Sequence, residues 1–578
     1  MTSQTEPTPH RTPSAIDAIA DAYFDELSVL SPSISLFLGH ENPHGFDDYS
    51  PEGLKAANDL RARTLADIRD AEAQGQETGA LDETDLVTID AMRERLGTAT
   101  DLYEAGLHHT VLNVIESPVQ QMRDIFDLLP TDTAAGWETV SATMAALPRS
   151  IAGYRESLRY ARDELGRVPA RLQIERVAAQ AHALSETGNR FDALAAESAS
   201  AADSASSSAS TTTESLAREL AVHAQAAREA FGGLAHFLRT ELAEHAPENE
   251  ACGRDDYVMF SREFLGAEVD LEETYEWALD ELDSIDAEQR RVANSIHPGA
   301  ELFDVMRALD EDPDRALHGT TALQEWMQTV ADEAITELGK THFDIPEPLR
   351  TIECMIAPSA TGAVYYSQPS EDFSRPGRMW WSVPDGVTEF ATWQEKTTVY
   401  HEGVPGHHLQ MGQASYLADS LNKWRRHVCW VSGHGEGWAL YAERLMAELG
   451  FLDEPGDYLG MLDSQRLRTS RVIVDIGFHL GLKAPAHLGG GVWDRAKAWE
   501  FLTQNVAMDR TFLAFELDRY LGWPGQAPSY KIGQRLWEDI RDESRAAAGT
   551  GFDLKEFHGR ALNLGSIGLD PLRRALLR

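Results

Sequence analysis

The sequence predicts a mostly α-helical protein with one small β-sheet, on three observations. Apolar residues recur at steps of three and four along most of the chain, as in Ile115, Val119, Met122, Ile125 and Leu129. Runs with strand character are confined to the stretch from Arg350 to Val383, where TIECMIAP, GAVYYSQP and RMWWSVP alternate with Gly, Pro and Ser turn signals. Hydrophobic residues make up 42% and charged residues 25% of the 578, near the globular average, so neither a fibrous nor a wholly disordered chain is expected.

Taken in order, residues 1–14 (MTSQTEPTPHRTPS) are polar and Pro/Thr-rich and read as a disordered terminus. They lack the basic start and the apolar run of about 7–15 residues that a secretory signal needs. A helical N-terminal region follows over residues 15–345. Inside it, residues 195–215 (AAESASAADSASSSASTTTES) hold no large apolar side chain, and they read as a disordered insertion whose deletion is tolerated. Helical spacing resumes over 216–242, 272–296 and 322–338. The second region, 346–578, carries the sheet and then helices, interrupted at Pro405-Gly406, Gly489-Gly490-Gly491 and Trp523-Pro524-Gly525.

Charge narrows the function. With 51 Lys and Arg against 94 Asp and Glu, the net charge of −43 repels phosphate backbones and anionic lipid heads, so neither nucleic acid nor membrane is an expected partner. No stretch approaches the roughly 18 apolar residues of a spanning helix. Three scattered cysteines, Cys252, Cys354 and Cys429, do not make a disulfide framework, which fits a reducing, cytoplasmic location.

The chemistry concentrates in YHEGVPGHHLQ, residues 400–410, at the end of a helical pattern in which Phe390, Trp393, Thr397 and Tyr400 share a face. It begins like the HExxH helix of a zincin, where two histidines four apart meet one zinc ion and the Glu between them faces the attacking water. Here the fourth position after His401 is Pro405. In an unbroken helix His407 would point about 120° away from His401, and His408 would lie about 10 Å along the axis. Pro405, however, has no N–H for the His401 carbonyl, so the helix must bulge or break there. Gly406 can then take an unusual backbone angle and bring His407 back beside His401. His401 and His407 are therefore the candidate ligands, with His408 as the alternative for the second. The bland reading is a capped helix end with surface histidines.

Glu436, 29 residues after His407, is the candidate third ligand. It opens a helical pattern between Gly435 and Gly437, small neighbours that permit close helix approach. His434 rivals it, and a first-turn Glu favoured by the helix dipole is the plain alternative. Glu443, two turns on, is expected to pair with groups outside the ligand set.

Four ordered blocks, HEGVPGHHLQ, EGWALYAE, RVIVDIGFH and PGQAPSYKIG, resemble the bacterial family known as domain of unknown function 885, which is grouped with gluzincin-type metallopeptidases. The resemblance covers roughly Tyr365 to Arg541. It implies a large helical metallopeptidase-like fold with a deep cleft, like thimet oligopeptidase, angiotensin-converting enzyme and carboxypeptidase Taq. Their zinc motifs carry a Gly-His pair that aligns on Gly406-His407; this chain departs from them by two residues inserted between Glu402 and Gly406. The resemblance further implies a Zn²⁺ cofactor, Glu402 as the general base, and Tyr530 and His479 as oxyanion donors, with Asp475 spaced to orient His479.

A substrate strand is expected to lie along 363–368, with Arg375 either meeting a substrate carboxylate or closing an exposed turn. Arg471 and Arg519 are expected in structural ion pairs. The function these readings imply is a zinc-dependent hydrolase of short peptides. The alternatives are a zinc amidase acting on a small non-peptide amide, and a catalytically silent binding protein with the same fold.

Overall fold

The computed structural model describes residues 11–38, 45–203, 210–357, 364–384 and 386–578. Helices α1 (Ala15–Leu30), α2 (Pro51–Thr78) and α3 (Glu83–Glu104) come first. Ser14 and Asp82 form reciprocal capping boxes with Asp17 and Asp85, and Ser50 accepts from the Gly53 N–H, so each helix starts where its sequence supplies a cap. Arg11 pairs with Asp17, Asp82 and Asp85 around two of these helix starts. This corrects the expected disorder over 11–14, because three carboxylates converge on one guanidinium; residues 1–10 lie outside the described residues.

Helices α4 (Ala134–Asp163), α5 (Arg171–Ser185), α6 (Arg190–Asp203) and α7 (Ser210–Phe237) enclose one core, built on Trp137, Leu147, Val177, Phe191, Leu220 and Phe231. The insertion expected at 195–215 is corrected as well. Residues 195–203 continue α6, with Leu194 and Ser198 buried, and residues 210–215 begin α7. Alanine needs no large side chain to favour a helix once Phe191 and Leu194 anchor it. Residues 204–209 lie outside the described residues.

A larger core joins Ile16, Phe24 and Met92 from the first helices to Trp438, Ile473 and Trp537. Asn422 donates to Asp17 and Arg574 pairs with Asp90 across the same junction. The division expected at 345 and 346 is therefore not a boundary between cores. Helices α8 (Leu271–Ile296) and α9 (Thr320–Thr341) match the predicted spacing.

Among the described residues, two small sheets replace the single one expected. β1 (Ala316–His318) pairs antiparallel with β5 (Glu389–Ala391). In the other, β4 (Gly377–Trp381) lies between β2 (Ile352–Ile356), parallel to it, and β3 (Val364–Ser367), antiparallel, with Ile352 opposite Gly377 and Val364 opposite Trp381. β3 is thus an edge strand, where a substrate strand was expected; Ala363 lies outside the described residues. β5 runs directly into α10 (Thr392–Glu402), followed by α11 (His407–Tyr416), α12 (Ser432–Glu448), α13 (Pro455–His479), α14 (Arg510–Gly522) and α15 (Ser529–Ala548). Among the described residues, no helix is long and apolar enough to cross a membrane.

Candidate metal centre

The buried face of α10 is the predicted one: Phe390 just before it, then Trp393, Thr397 and Tyr400, are all buried. The helix ends at Glu402, with Gly403 donating to Val399 O at 2.9 Å. The His401 carbonyl has no helical donor because Pro405 lacks an N–H. The chain turns back through a cis Val404-Pro405 peptide, Gly406 N donates to Tyr400 O at 3.1 Å, and Trp438 Nε1 donates to Pro405 O at 2.8 Å. The expected break is there, and Gly406 takes the expected unusual backbone angle, with φ −71° and ψ −131°. A Cβ at this position would stand 1.9 Å from His401 O and 2.6 Å from Tyr400 O, so glycine is required by proximity.

This turn places His407 beside His401, with ring centroids 4.9 Å apart and planes at 88°. His401 Nε2 lies 3.2 Å and His407 Nε2 3.4 Å from Glu436 Oε2, and ligand atoms of all three residues lie within 4.8 Å of one another. Ligands 2.0–2.2 Å from a tetrahedral zinc are about 3.3–3.6 Å apart, which the two distances to Glu436 match, while the 4.8 Å bound on the whole set is wider and leaves the cluster to close around an ion. His408 is not part of it. Its Nε2 donates to Leu349 O and its Nδ1 accepts from Tyr366 OH, both at 2.9 Å. His434, the rival to Glu436, packs on Trp537 and bonds the Ile567 backbone. Gly435 and Gly437 sit under Trp430 and against Gly533, so the close approach they permit is to a loop and to α15, not to α10 as expected.

The polar groups around His401 are paired, whereas Nδ1 of His407 is buried without a hydrogen-bond partner. Glu443, 1% exposed, accepts from His401 Nδ1, Thr397 Oγ1 and Ser464 Oγ, each at 2.8 Å. It thereby fixes the His401 ring with Nε2 toward Glu436. Burial alone would push His401 down, but the hydrogen bonds to Glu436 and Glu443 raise it to about 10. Burial alone would raise the Glu436 carboxyl, yet the His407 charge and the His401 hydrogen bond hold it well below the usual range. Both shifts describe imidazole–carboxylate pairing within the cluster. Glu402 is buried, burial raises its carboxyl, and its Oε2 has no hydrogen-bond partner.

Tyr530 opens α15 with its ring under the Arg471 guanidinium, 5.1 Å away. Burial and then the charge of Glu436 push its phenol up to about 12, and among the described residues its hydroxyl makes no hydrogen bond. His479 is corrected. It stacks on Tyr257, donates from Nε2 to Tyr520 O at 3.2 Å and accepts at Nδ1 from Cys252 N at 3.3 Å, so no donor is left for an oxyanion. Burial lowers its pKa to about 4, which keeps it neutral. Asp475 does not orient it but accepts from Tyr257 OH and Gly525 N. Arg375 closes its own turn by donating to Gln368 O and Pro376 O. Arg471 and Arg519 both pair with Glu516, as expected. Ser464 and Arg468 were not singled out from sequence; their i, i+4 spacing on α13 was the signal available, and Arg468 donates to Ser464 Oγ at 2.8 Å.

A large, mostly helical chain with a His/His/Glu cluster at a broken helix is the class this geometry defines. The chain belongs to the family described as bacterial protein of unknown function (DUF885), which it matches over residues 32–576. Its fold is similar to that of a “putative lipoprotein” from Colwellia psychrerythraea, with a TM-score of 0.79 and 21% identity over 97% of this chain and 98% of that one. It is also similar to a “putative lipoprotein of unknown function” from Shewanella oneidensis, with a TM-score of 0.71 and 17% identity over 98% and 100% of the chains. At these identities the likeness is one of fold. No curated protein matches.

Proposed function

We propose that the protein is a zinc-dependent hydrolase that cleaves peptide bonds of short peptides. One observation carries the reading: His401, His407 and Glu436 converge beside Glu402, a buried carboxylate with an unpartnered oxygen. His401, His407 and Glu436 would hold a divalent ion, which would supply an acidified water and polarise a scissile carbonyl. Glu402, next in sequence to a ligand, takes the proton of the attacking water and passes it to the leaving nitrogen; its raised pKa suits a group that must hold that proton briefly. Tyr530 donates its free hydroxyl to the oxyanion, while Arg471 fixes the ring. The edge strand β3 is pinned to α11 by the bond between Tyr366 and His408, next to His407, which suits it to pair with an extended peptide.

Glu402→Gln tests this. The variant is expected to keep its zinc and to lose about 10²–10⁴-fold in turnover on a mixed panel of short peptides. A zinc-loaded wild type that cleaves none of the panel, or a Gln variant as active as the wild type, overturns the reading.

A further inference from the structure

The protein carries a net charge of −43, yet the wall beside the metal centre holds more cations than it needs. Arg471 and Arg519, both buried, share one carboxylate, Glu516, at 2.8 and 2.9 Å. Arg468, one turn before Arg471 on α13, forms no ion pair among the described residues. Its Nη1 donates to Ser464 Oγ at 2.8 Å and to Ser464 O at 3.4 Å, and its Nε is buried without any partner. What sets Arg468 apart is that a half-buried guanidinium beside the metal centre carries no carboxylate, which leaves its charge for an anion from outside the chain.

The position is specific. Arg468 bonds Ser464, Ser464 bonds Glu443, and Glu443 bonds His401, so one hydrogen-bonded chain runs from the guanidinium to a metal ligand. Arg471, on the same face, covers the Tyr530 ring. The charge of Arg468 acts on Glu402, Glu443 and Tyr530 alike, yet none of these pairs with it. The outer end of the half-buried Arg468 side chain, where Nη2 makes no hydrogen bond among the described residues, is the donor a carboxylate from outside can reach.

We propose that Arg468 binds a carboxylate of the substrate beside the bond that is cut, with Arg471 and Arg519 making the surrounding wall positive. This deepens the hydrolase reading and rests on it. The carboxylate has two sources, a free C-terminus or an acidic side chain.

The test uses the full, zinc-loaded chain and short peptides in three forms: neutral with a free C-terminus, the same peptide as the C-terminal amide, and the amide with one Asp or Glu near the scissile bond. One anionic form is expected to exceed the neutral amide by about 10–100-fold in kcat/KM, mainly through KM, and which form does so identifies the source. In Arg468→Gln that ratio is expected to collapse toward one, and in Arg468→Lys, which also serves if the Gln variant misfolds, to recover in part. Equal use of neutral and anionic forms by the wild type, or an unchanged ratio in Arg468→Gln, overturns the proposal. If no peptide is cleaved, the hydrolase reading fails, and calorimetric titration with acetyl-dialanine and its amide tests the subsite separately. Tighter binding of the acid that is lost in Arg468→Gln supports the subsite, and equal or undetectable binding of the two sinks it.

Discussion

Replacing Gly406 with alanine sets a methyl group 1.9 Å from the His401 carbonyl oxygen and 2.6 Å from that of Tyr400. Both obstacles are backbone, so no side chain can swing aside. Real Cβ contacts essentially never fall below 3.0 Å, and moving the first from 1.9 to 3.0 Å takes a displacement of about 1.1 Å. The turn has little room to give, since Trp438 holds Pro405 O and Gly406 N is bonded to Tyr400 O. The shift therefore passes to His407, the next residue and a proposed ligand. Metal sites tolerate about 0.2 Å of ligand displacement, so Gly406→Ala is expected to lose at least about 10²-fold in zinc affinity. A chelator competition measures this, and melting in excess chelator reports separately on the fold, where overpacking of this kind costs about 1–3 kcal/mol. Gly97→Ala is the control: it lies inside α3 with nothing within 4 Å of its added Cβ, so it should stabilise by about 0.5–1 kcal/mol and leave zinc binding unchanged. A Gly406→Ala protein that binds zinc within about threefold of wild type would refute the reasoning.

Three further outcomes follow from the same geometry. Tyr530→Phe deletes only the proposed oxyanion donor, so kcat should fall by about 10²–10³ with KM nearly constant; unchanged kcat excludes the role. Glu443→Ala removes the acceptor of His401 Nδ1 and should weaken zinc binding by about 10–100-fold in equilibrium dialysis, whereas wild-type affinity would show that His401 is oriented by packing alone. Asp475 is buried with Oδ2 unpartnered, and burial pushes its carboxyl up to about 7. The folded protein then keeps a proton that the unfolded chain releases near pH 4, so this group costs stability progressively as pH rises from about 4 to 7 and the cost levels off above that. Asp475→Asn should accordingly raise Tm more at pH 8 than at pH 5; the opposite order contradicts the shift.

The convergence of His401, His407 and Glu436 was legible because its signals were local and chemical. His401-Glu402 announced a zincin-like start, Pro405 forbade the ordinary helix, and a helix carrying Glu436 followed at a workable distance. The unusual angle at Gly406 was legible too, but only the fold reveals two carbonyls where a side chain would have to go. His479 and Asp475 sat at helical spacing, but spacing cannot say that a neighbouring backbone already occupies both ring nitrogens. The Ala/Ser stretch after Leu194 misled because low hydrophobicity was read as disorder, although Ala favours helix and Phe191 supplies the anchor one turn earlier. The division at 345 failed since a core is set by contacts, and Asp17 meets Asn422 across the length of the chain.

The central claim is tested most directly by zinc itself. Purified protein equilibrated with zinc and dialysed should retain one equivalent per chain, and crystals should give a single zinc-edge anomalous peak 2.0–2.2 Å from His401 Nε2, His407 Nε2 and a Glu436 carboxylate oxygen. His407→Ala should lose the retained equivalent. Substoichiometric zinc in the wild type, a peak elsewhere, or full retention by His407→Ala would contradict the account.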